Sequence, residues 1–453
     1  MAAPANPAST AAELKHHFTT SNACCVIAPE SLQDHVLEAA DGLGIREVIV
    51  TEDLESAMIH PEFRTRSQAQ SHNWSDFDNA DKARKRIACL NSTSGTTGLP
   101  KLAARSHYSL VMEHVAIEEA TDSSLRERRL LCTPFFHAFT SPLGVIGALR
   151  TGVETYVMRR FDARRFIDCV KQHQITEAAM VPPMIAQFLA MDPASRQPLK
   201  NLRRVWVGGA PLDGTTQTRA ASMFANEVNI SQVWGMTEGG WMTTFETAER
   251  DFSGSVGRLL GHFDGLRIVN VDHDAASNYG LHSTSSSSQM RYGEIWVRGP
   301  SNMLGYLNNP EATAATMTSD GWLRTGDVGG CAPDGRIFLV DRLKELIKVR
   351  GWQVAPAEVE AVLLAHEKIV DAGVIGVYNK AELTELPLAY VVLRQGCRMC
   401  QEEVKDHLFE SLAKHKIRDI QVKFVDTIPK SISGKILRKV LREWAAEEKE
   451  NEY

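Results

Sequence analysis

The sequence has no long apolar segment. Its best uncharged run, residues 142–149, ends at Arg150 and is far shorter than the roughly 18 residues of a membrane-spanning helix. The first residues, Met-Ala-Ala-Pro, lack the basic and then apolar layout of a signal peptide, and the last, Asn-Glu-Tyr, are no peroxisomal signal. We therefore expect no membrane span and a cytoplasmic location.

Cysteine is scarce, and a surplus of basic residues is missing. Eight cysteines occur in 453 residues, scattered apart from Cys24 and Cys25 and the pair Cys397 and Cys400. This usage is typical of reduced thiols and argues against a disulfide framework, and the lone Cys-x-x-Cys is more simply an inert pair than a metal or redox site. The net charge of −6 argues against a dedicated nucleic-acid binder, whose domain usually carries excess Lys and Arg.

What is present is a globular α/β pattern. Hydrophobic residues make up 43% and charged residues 23% of the chain, close to the average for globular proteins. At this length about two to four domains are possible. Short β-branched runs alternate with helical patterns, which predicts crossover helices over mostly parallel sheets. The strands predicted in this part are residues 24–28, 46–50, 176–181, 203–207 and 230–234.

The pattern changes twice toward the C-terminus. From about residue 293 the strands follow one another closely, which indicates a small antiparallel sheet or barrel. After Asp341-Arg342, a helix at about residues 356–366 with one apolar face, further strands and helices, and a terminal helix from about Gly434 indicate a compact α+β unit. We therefore predict a large N-terminal domain over residues 1–341, with a β-subdomain over about 254–341, and a small, mobile C-terminal domain over residues 342–453.

The most informative segment is a loop rich in glycine and hydroxyl groups. It reads Thr93-Ser94-Gly95-Thr96-Thr97-Gly98-Leu99-Pro100-Lys101. Its glycines let the backbone approach a polyanion, its hydroxyls can donate to phosphate oxygens, and its lysine adds positive charge. It is not a Walker A loop, because proline precedes the lysine and no Ser or Thr follows it. Taken alone, this composition would suit an ordinary surface turn.

Six further blocks follow this loop, and the series carries a family resemblance. They are residues 134–137 (PFFH), 208–212 (GGAPL), 234–238 (WGMTE), 321–327 (GWLRTGD), 341–345 (DRLKE) and 429–435 (PKSISGK). Each block alone is weak, but seven in order make chance a negligible explanation. The chain resembles the adenylate-forming superfamily of acyl- and aryl-CoA synthetases, adenylation domains and beetle luciferases, and is most similar to the 4-coumarate-CoA-ligase-like group.

The resemblance implies a role for each block at an ATP site. The loop holds the β- and γ-phosphates, Thr237 donates to the α-phosphate, and Glu238 coordinates Mg²⁺. Asp327 accepts both ribose hydroxyls and Arg342 is a second ribose contact. The adenine slot is formed by Gly208, Gly209, Ala210, Pro211, Val233, Trp234, Gly235 and Met236. Trp234 stands where the family often has tyrosine, and either ring offers a flat face to a purine.

The resemblance also implies a mobile small domain. In one pose Lys435 bridges the substrate carboxylate and the phosphate oxygens as charge develops. Rotation about the hinge, Lys344, then presents the loop 349–351 to the thiol. Residues expected near coenzyme A are Lys348, Arg350, Gly351 and Trp352, while Gln353 matches a position near the nucleotide phosphate.

The sequence predicts the residues of the acyl pocket less clearly than those of the ATP site. His137, an aromatic gate in relatives, is expected to line it together with residues 142–148, Met184, Gly208 and Gly209. Small and apolar residues without an ionic anchor suit an aryl or a medium-chain or fatty acyl group.

The expected activity is that of an ATP-dependent carboxylate–CoA ligase with ATP, Mg²⁺ and coenzyme A as cofactors. One alternative is an acyl-AMP ligase that loads a carrier-protein thiol, and another is a catalytically weakened homologue that acts as a binding partner. Only 92 residues precede the loop, fewer than the family has, so we expect a partner chain or a homo-oligomer to cover that side. Leu102 stands where relatives carry glycine, and its side chain could misplace the end of the loop.

Overall fold

The computed structural model describes residues 1–51, 79–93, 100–121, 127–210, 212, 214–224, 228–247, 249–269, 290, 292–349, 352–379, 384–412, 417, 419–431 and 434–451. Its helices are α1 (Ala11–Ser21), α2 (Gln33–Ala40), α3 (Ala80–Lys85), α4 (His107–Glu119), α5 (Ala148–Thr151), α6 (Ala163–His173), α7 (Pro182–Ala190), α8 (Gly214–Ala221), α9 (Pro310–Thr316), α10 (Pro356–Ala365), α11 (Gln401–Ser411) and α12 (Arg438–Asn451). A π-helical turn spans Pro142–Gly147, and 3₁₀ turns span Glu30–Leu32 and Gln197–Asn201.

The strands are β1 (Cys25–Pro29), β2 (Glu47–Thr51), β3 (Ile87–Thr93), β4 (Lys101–Ser106), β5 (Arg128–Leu131), β6 (Glu154–Val157), β7 (Glu177–Met180), β8 (Arg204–Val207), β9 (Asn229–Gln232), β10 (Trp234–Met236), β11 (Gly240–Thr244), β12 (Arg258–Leu259), β13 (Gly265–Val269), β14 (Tyr292–Arg298), β15 (Gly305–Tyr306), β16 (Leu323–Cys331), β17 (Ile337–Arg342), β18 (Ile347–Val349), β19 (Trp352–Val354), β20 (Ile369–Asn379), β21 (Thr384–Leu393) and β22 (Gln421–Phe424).

A parallel sheet in the order β6-β5-β7-β8-β9 forms the centre of the large N-terminal part. Every residue of β7 and of β8 is buried, because both faces are covered. One face packs on α6, α7 and α8, and the other on α4 and on strands of the antiparallel sheets. The predicted strands at 176–181 and 203–207 are therefore found nearly as expected. The carboxyl end of β8 leads directly into Gly208 and Gly209, so this edge of the sheet carries one of the sequence blocks.

The run predicted as one strand at 230–234 is divided between two sheets. The Val233 backbone N–H still donates to the Val207 carbonyl at 2.7 Å, so the parallel ladder continues to that residue. Trp234 then begins β10, which pairs with β11 in an antiparallel sheet β10-β11-β12. The break turns the chain, and with it Thr237 and Glu238, away from the parallel sheet.

Two further antiparallel sheets frame the same region. One is β15-β4-β3, in which β3 and β4 are joined across Thr93 and Lys101, the two ends of the predicted phosphate loop. Leu102 is buried on β4 and packs with Leu90, so its side chain belongs to an apolar cluster. The other is β13-β14-β16-β17, which places Asp327 directly opposite Arg342.

The C-terminal unit has its own sheet, β20-β21-β22, packed against α10, α11 and α12. Within its apolar core Val359 and Leu363 of α10 are fully buried, which confirms the apolar face predicted for this helix. Among the described residues, no helix is both long and apolar enough to cross a membrane.

One hydrogen bond joins the two units at the start of α10. The N-cap residue, Ala355, offers no side-chain acceptor. Instead, Oδ2 of Asp341 accepts the Ala357 backbone N–H at 2.9 Å, and Asp341 itself lies on β17 opposite Val328. Burial raises the pKa of Asp341 to about 6, with the Arg438 charge opposing the shift. A carboxylate of the large unit thus caps a helix of the small one.

The predicted start of the terminal helix was wrong. The sequence pattern placed it at about Gly434, whereas α12 begins at Arg438. Gly434 has a φ of +82°, a conformation that ends regular helix and favours glycine. Lys430 and Ile436 form an antiparallel bridge across this turn. Lys435 therefore lies in a tight turn ahead of the helix.

Candidate active site

Asp327 and Arg342 form an ion pair between neighbouring strands. Nε of Arg342 lies 2.9 Å from Oδ1 of Asp327, as the direct cross-strand register of β16 and β17 requires. The backbone N–H of Asp327 donates to Oγ1 of Thr325 at 3.1 Å. Asp327 raises the pKa of Arg342. The ion pair thus lies at the edge of this sheet, between β16 and its edge strand β17.

The indole of Trp234 reaches the same carboxylate from another sheet. Its Nε1–H donates to Oδ2 of Asp327 at 2.8 Å, and the side chain is only 5% exposed. The predicted adenine-slot residue is therefore in contact with the predicted ribose residue, 93 positions away in the sequence.

Glu238 lies in the turn that joins β10 and β11. It is 7% exposed, and its Oε1 accepts the hydroxyl of Tyr306 at 2.6 Å. Burial and the Glu238 charge raise the pKa of Tyr306, so this hydroxyl stays a donor. Nζ of Lys101 lies 4.9 Å from the centre of the Tyr306 ring, within the range of a cation–π contact. Lys101 and Glu238 therefore both contact the side chain of Tyr306.

A buried ion pair fixes the turn that carries Glu238 between β10 and β11. Nη2 of Arg105 lies 2.8 Å from Oε2 of Glu113, and Oε1 of Glu113 accepts the Trp241 backbone N–H at 2.8 Å. Gly240 has a φ of +72°, and a Cβ at this position would lie 2.5 Å from the Glu113 carboxyl carbon. Glycine is needed here for both conformation and space.

Lys435 reaches the large unit from the small one. Its backbone N–H donates to Oγ of Ser431 at 3.2 Å, and its carbonyl accepts the Ser431 N–H at 2.8 Å. A Cβ on Gly434 would lie 3.1 Å from Cδ of Pro183 on α7, so the turn packs directly on the large unit.

The Lys435 amine joins the charged groups described above. Burial lowers its pKa, Arg342 acts in the same direction, and Asp327 and Glu238 oppose the shift. The amine is therefore within electrostatic range of the predicted ribose pair and of the predicted metal ligand. The structure thus places Lys435 in the same charged region as Asp327, Arg342 and Glu238, and their roles stay predictions.

His137 is a neutral group beside this cluster. Burial, and secondarily the Lys435 charge, lowers its pKa to about 4. Its Nδ1 accepts the Phe139 backbone N–H at 3.2 Å, which leaves the proton on Nε2. The imidazole is thus a hydrogen-bond donor without charge near neutral pH.

Aromatic rings form a wall next to His137. The Phe139 and Trp241 rings are stacked with centroids 5.7 Å apart, and Nε1 of Trp241 donates to the Phe139 carbonyl at 3.0 Å. A Cβ on Gly208 would lie 2.6 Å from the Phe139 ring, so glycine is required for this close contact. Phe139 and Trp241 were not among the residues predicted from the sequence.

Several predicted residues do not enter this cluster. Lys348 is exposed on β18, where its backbone N–H donates to Oε2 of Glu385 at 2.7 Å. Lys344, by contrast, is exposed in the turn after β17 and its charge acts on the Lys435 amine; its role as a hinge stays a prediction. Predictions on residues 94–99, Pro211, Arg350 and Gly351, and on the side chains of Trp352 and Gln353, lie outside the described residues.

Comparison with known proteins decides the family. Residues 1–307 match the sequence model of the AMP-binding enzyme family, and residues 358–435 match that of the AMP-binding enzyme C-terminal domain. The chain belongs to the AMP-binding enzyme family.

Curated members of the family resemble this chain over nearly all of its length. Phenylacetyl-CoA ligase epaB of Aspergillus niger is 39% identical over 97% of this chain and 81% of its own. 4-Coumarate–CoA ligase 1 of Oryza sativa subsp. japonica is 34% identical over 97% of this chain and 77% of its own. ATP-bound MatB from Rhodopseudomonas palustris superposes with a TM-score of 0.78 at 25% identity, covering 97% of this chain and 82% of that one.

These similarities confirm the predicted fold class and the enzyme class. The chain has the two-unit α/β fold of AMP-binding enzymes and is an AMP-forming acid–thiol ligase, which uses ATP, Mg²⁺ and coenzyme A.

A magnesium ion suits the donor set of this AMP-binding enzyme. Glu238 supplies a buried carboxylate in which Tyr306 uses one lone pair, so further lone pairs are left for a hard cation. No group of three or more His, Cys, Asp or Glu suited to a metal occurs among the residues that the structure describes. Glu238 would hold Mg²⁺ together with substrate phosphates, whose charge the ion would neutralise.

Sequence reasoning missed Tyr306 and the Arg105–Glu113 pair. Tyr306 stands in a Gly-Tyr dipeptide just before the Asn309-Pro310 start of α9, which signals a turn and nothing about a metal ligand. Arg105 and Glu113 lie eight residues apart on a strand and the following helix, and their pairing depends on how these elements pack. Only the tertiary fold shows these contacts.

Proposed function

We propose that this enzyme activates an aryl or medium-chain carboxylic acid as its acyl-AMP and then forms the acyl-CoA thioester. A carboxylate oxygen attacks the α-phosphorus of ATP, a new oxygen–phosphorus bond forms, and pyrophosphate leaves. The coenzyme A thiolate then attacks the acyl carbonyl, a carbon–sulfur bond forms, and AMP leaves. Both steps bring anions together, so positioning and charge neutralisation dominate catalysis.

The observation that carries the proposal is the electrostatic interaction of Lys435 with charged groups of the large unit. Its amine interacts with Arg342, Asp327 and Glu238, and its turn packs on Pro183. A cation that reaches this cluster from a separate unit suits the developing charge between carboxylate and α-phosphate. This arrangement is the one that the first half-reaction needs.

Each of the other site residues has a proposed role. Asp327 holds the ribose hydroxyls with Arg342 beside it, Thr237 donates to the α-phosphate, and Glu238 binds Mg²⁺. Lys101 follows the phosphate loop, whose remaining members are Thr93, Ser94, Gly95, Thr96, Thr97, Gly98, Leu99 and Pro100.

The acyl side of the site favours an uncharged, apolar group. His137 is neutral because its pKa is lowered to about 4, and Phe139, which stacks on the fully buried Trp241, packs directly on Gly208. Aromatic walls favour a flat or apolar acyl group over one with a second charge. An aryl acid satisfies this environment well.

For thioester formation we propose rotation of residues 342–453 about Lys344 against the large domain, residues 1–341. That motion would bring Lys348, Arg350, Gly351 and Trp352 toward coenzyme A, whose phosphates favour cations. Gln353 would lie near the nucleotide phosphate. A cytoplasmic location, and a partner chain or homo-oligomer on the N-terminal side, remain predictions from the sequence.

The test is acid-dependent exchange of labelled pyrophosphate into ATP with a panel of aryl, medium-chain and long-chain acids. We expect strong exchange with aryl or medium-chain acids and thioester formation with free coenzyme A. Exchange with transfer only to a loaded carrier protein would favour the carrier-loading alternative. Folded protein without exchange for any acid would favour the weakened homologue.

A further inference from the structure

The carboxylate of Asp327 is held by two donors from different sheets. Arg342, its neighbour on β17, approaches Oδ1 at 2.9 Å, and the indole N–H of Trp234 on β10 donates to Oδ2 at 2.8 Å. An ionised carboxylate has about four lone-pair sites. Among the described residues these two donors use one site of each oxygen, which leaves one site of each for the two hydroxyls of a ribose.

Trp234 is suited to orient this carboxylate. Its side chain is 5% exposed, so most of the ring is packed inside the protein and its polar edge points at Asp327. The Trp234 backbone is fixed as well, since its N–H donates to Oγ1 of Thr243 at 3.3 Å. An indole N–H only donates, so it cannot turn around and compete as an acceptor for a ribose hydroxyl.

We propose that Trp234 is a positioning residue that sets the orientation of Asp327 and thereby the recognition of the ribose hydroxyls of ATP. This role is distinct from offering a ring face to adenine, and it rests on the proposed function, in which Asp327 binds ribose. Without the indole donor, the carboxylate is held on the Arg342 side alone and can rotate away from the hydroxyls.

The experiment compares ATP, 2′-deoxy-ATP and 3′-deoxy-ATP as substrates for acid-dependent adenylation. In the unaltered enzyme we expect each deoxy nucleotide to have a kcat/KM about tenfold or more below that of ATP, because each lacks a hydrogen bond to a charged acceptor. Trp234→Phe keeps a flat ring and removes the N–H. We expect it to reduce this discrimination to less than about threefold, mainly by raising KM for ATP.

Two further variants separate the role from simple packing. Trp241→Phe removes another buried indole N–H, one that donates to a backbone carbonyl, and should leave the nucleotide discrimination intact. In an Asp327→Asn background, Trp234→Phe should have little further effect on discrimination, since residues that act as one unit are not additive. If Trp234→Phe does not fold, Trp234→Met, with its adaptable side chain, serves the same purpose.

The possible outcomes are distinct. Equal loss of kcat/KM for all three nucleotides in the Trp234 variants, with discrimination retained, would overturn the inference and leave a packing or stacking role. Absence of acid-dependent exchange in the unaltered enzyme would instead overturn the proposed function. Loss of discrimination in the Trp234 variants, and not in Trp241→Phe, is the result that we expect.

Discussion

Replacing Lys435 by alanine should separate the two half-reactions. Before ATP enters, the charges of Arg342 and Lys344 lower the pKa of the Lys435 amine and those of Asp327 and Glu238 raise it, so two cations and two carboxylates act on it. The triphosphate adds negative charge, which makes the ammonium a preorganised donor for the transition state. Loss of one such donor costs about 3 kcal/mol, or about 10²-fold in rate.

The assay measures each half-reaction alone. Pyrophosphate exchange reports adenylation, and supply of a chemically made acyl-AMP with coenzyme A reports thioester formation. We expect Lys435→Ala to lower the first about 10²-fold and to change the second less than about threefold, because the proposed rotation removes Lys435 from the site.

A matched lysine lies five residues earlier in the same segment. Lys430 pairs with Asp371 at 2.7 Å, both side chains are 25% exposed, and neither belongs to the proposed site. Lys430→Ala should cost about 1 kcal/mol of stability or less and leave adenylation within about twofold. Equal losses in the two half-reactions of Lys435→Ala, or equal losses in the two lysine variants, would refute the reasoning.

Three further predictions concern the metal ligand, a glycine and a histidine. Tyr306→Phe removes the hydroxyl that donates to Glu238, and we expect the Mg²⁺ concentration for half-maximal exchange to rise about tenfold; an unchanged magnesium titration would contradict this. Gly240→Ala should lower the free energy of unfolding in urea by about 2 kcal/mol more than Gly44→Ala, because both residues have positive φ but only at Gly240 would a Cβ meet a buried carboxylate. The pKa of His137 is lowered to about 4 in the folded protein, so only the unfolded state gains its proton between about pH 6.5 and 4, and stability falls as the pH falls through this window. His137→Asn should reduce that fall when unfolding is compared at pH 7 and pH 5, and an unchanged fall would count against the shifted pKa.

The parts of the fold that the sequence predicted well are those with a local cause. The strands at 176–181 and 203–207 contain the apolar runs 178–181 and 205–207, whose residues are all buried, so composition alone marks them. The helix Pro356–Ala365 is marked by its proline near the start and its apolar face. The predicted start of the terminal helix was wrong because Gly434 has a left-handed φ. The periodic apolar pattern that follows Gly434 does not reveal this conformation.

In the site, too, features with a local cause in the sequence could be predicted and long-range contacts could not. Asp327, Arg342, Glu238 and Lys435 were predicted because each stands in a block of the family, and the structure brings them together. The contacts that tune them link residues far apart in sequence, such as Trp234 with Asp327 and Tyr306 with Glu238. Such contacts depend on the packing of whole sheets. The sequence motifs therefore identify the charged groups, but only the tertiary structure shows how these groups are oriented.

The helix cap that Asp341 gives to Ala357 bears on the exchange of parts between related ligases. The small unit looks like a separable module, yet its first helix has no side-chain cap of its own and depends on a carboxylate from the last strand of the preceding sheet. A splice placed between positions 341 and 357 would combine the cap of one parent with the helix of the other. Hybrid enzymes should therefore be joined ahead of β17, so that the cap and the helix it stabilises come from the same parent.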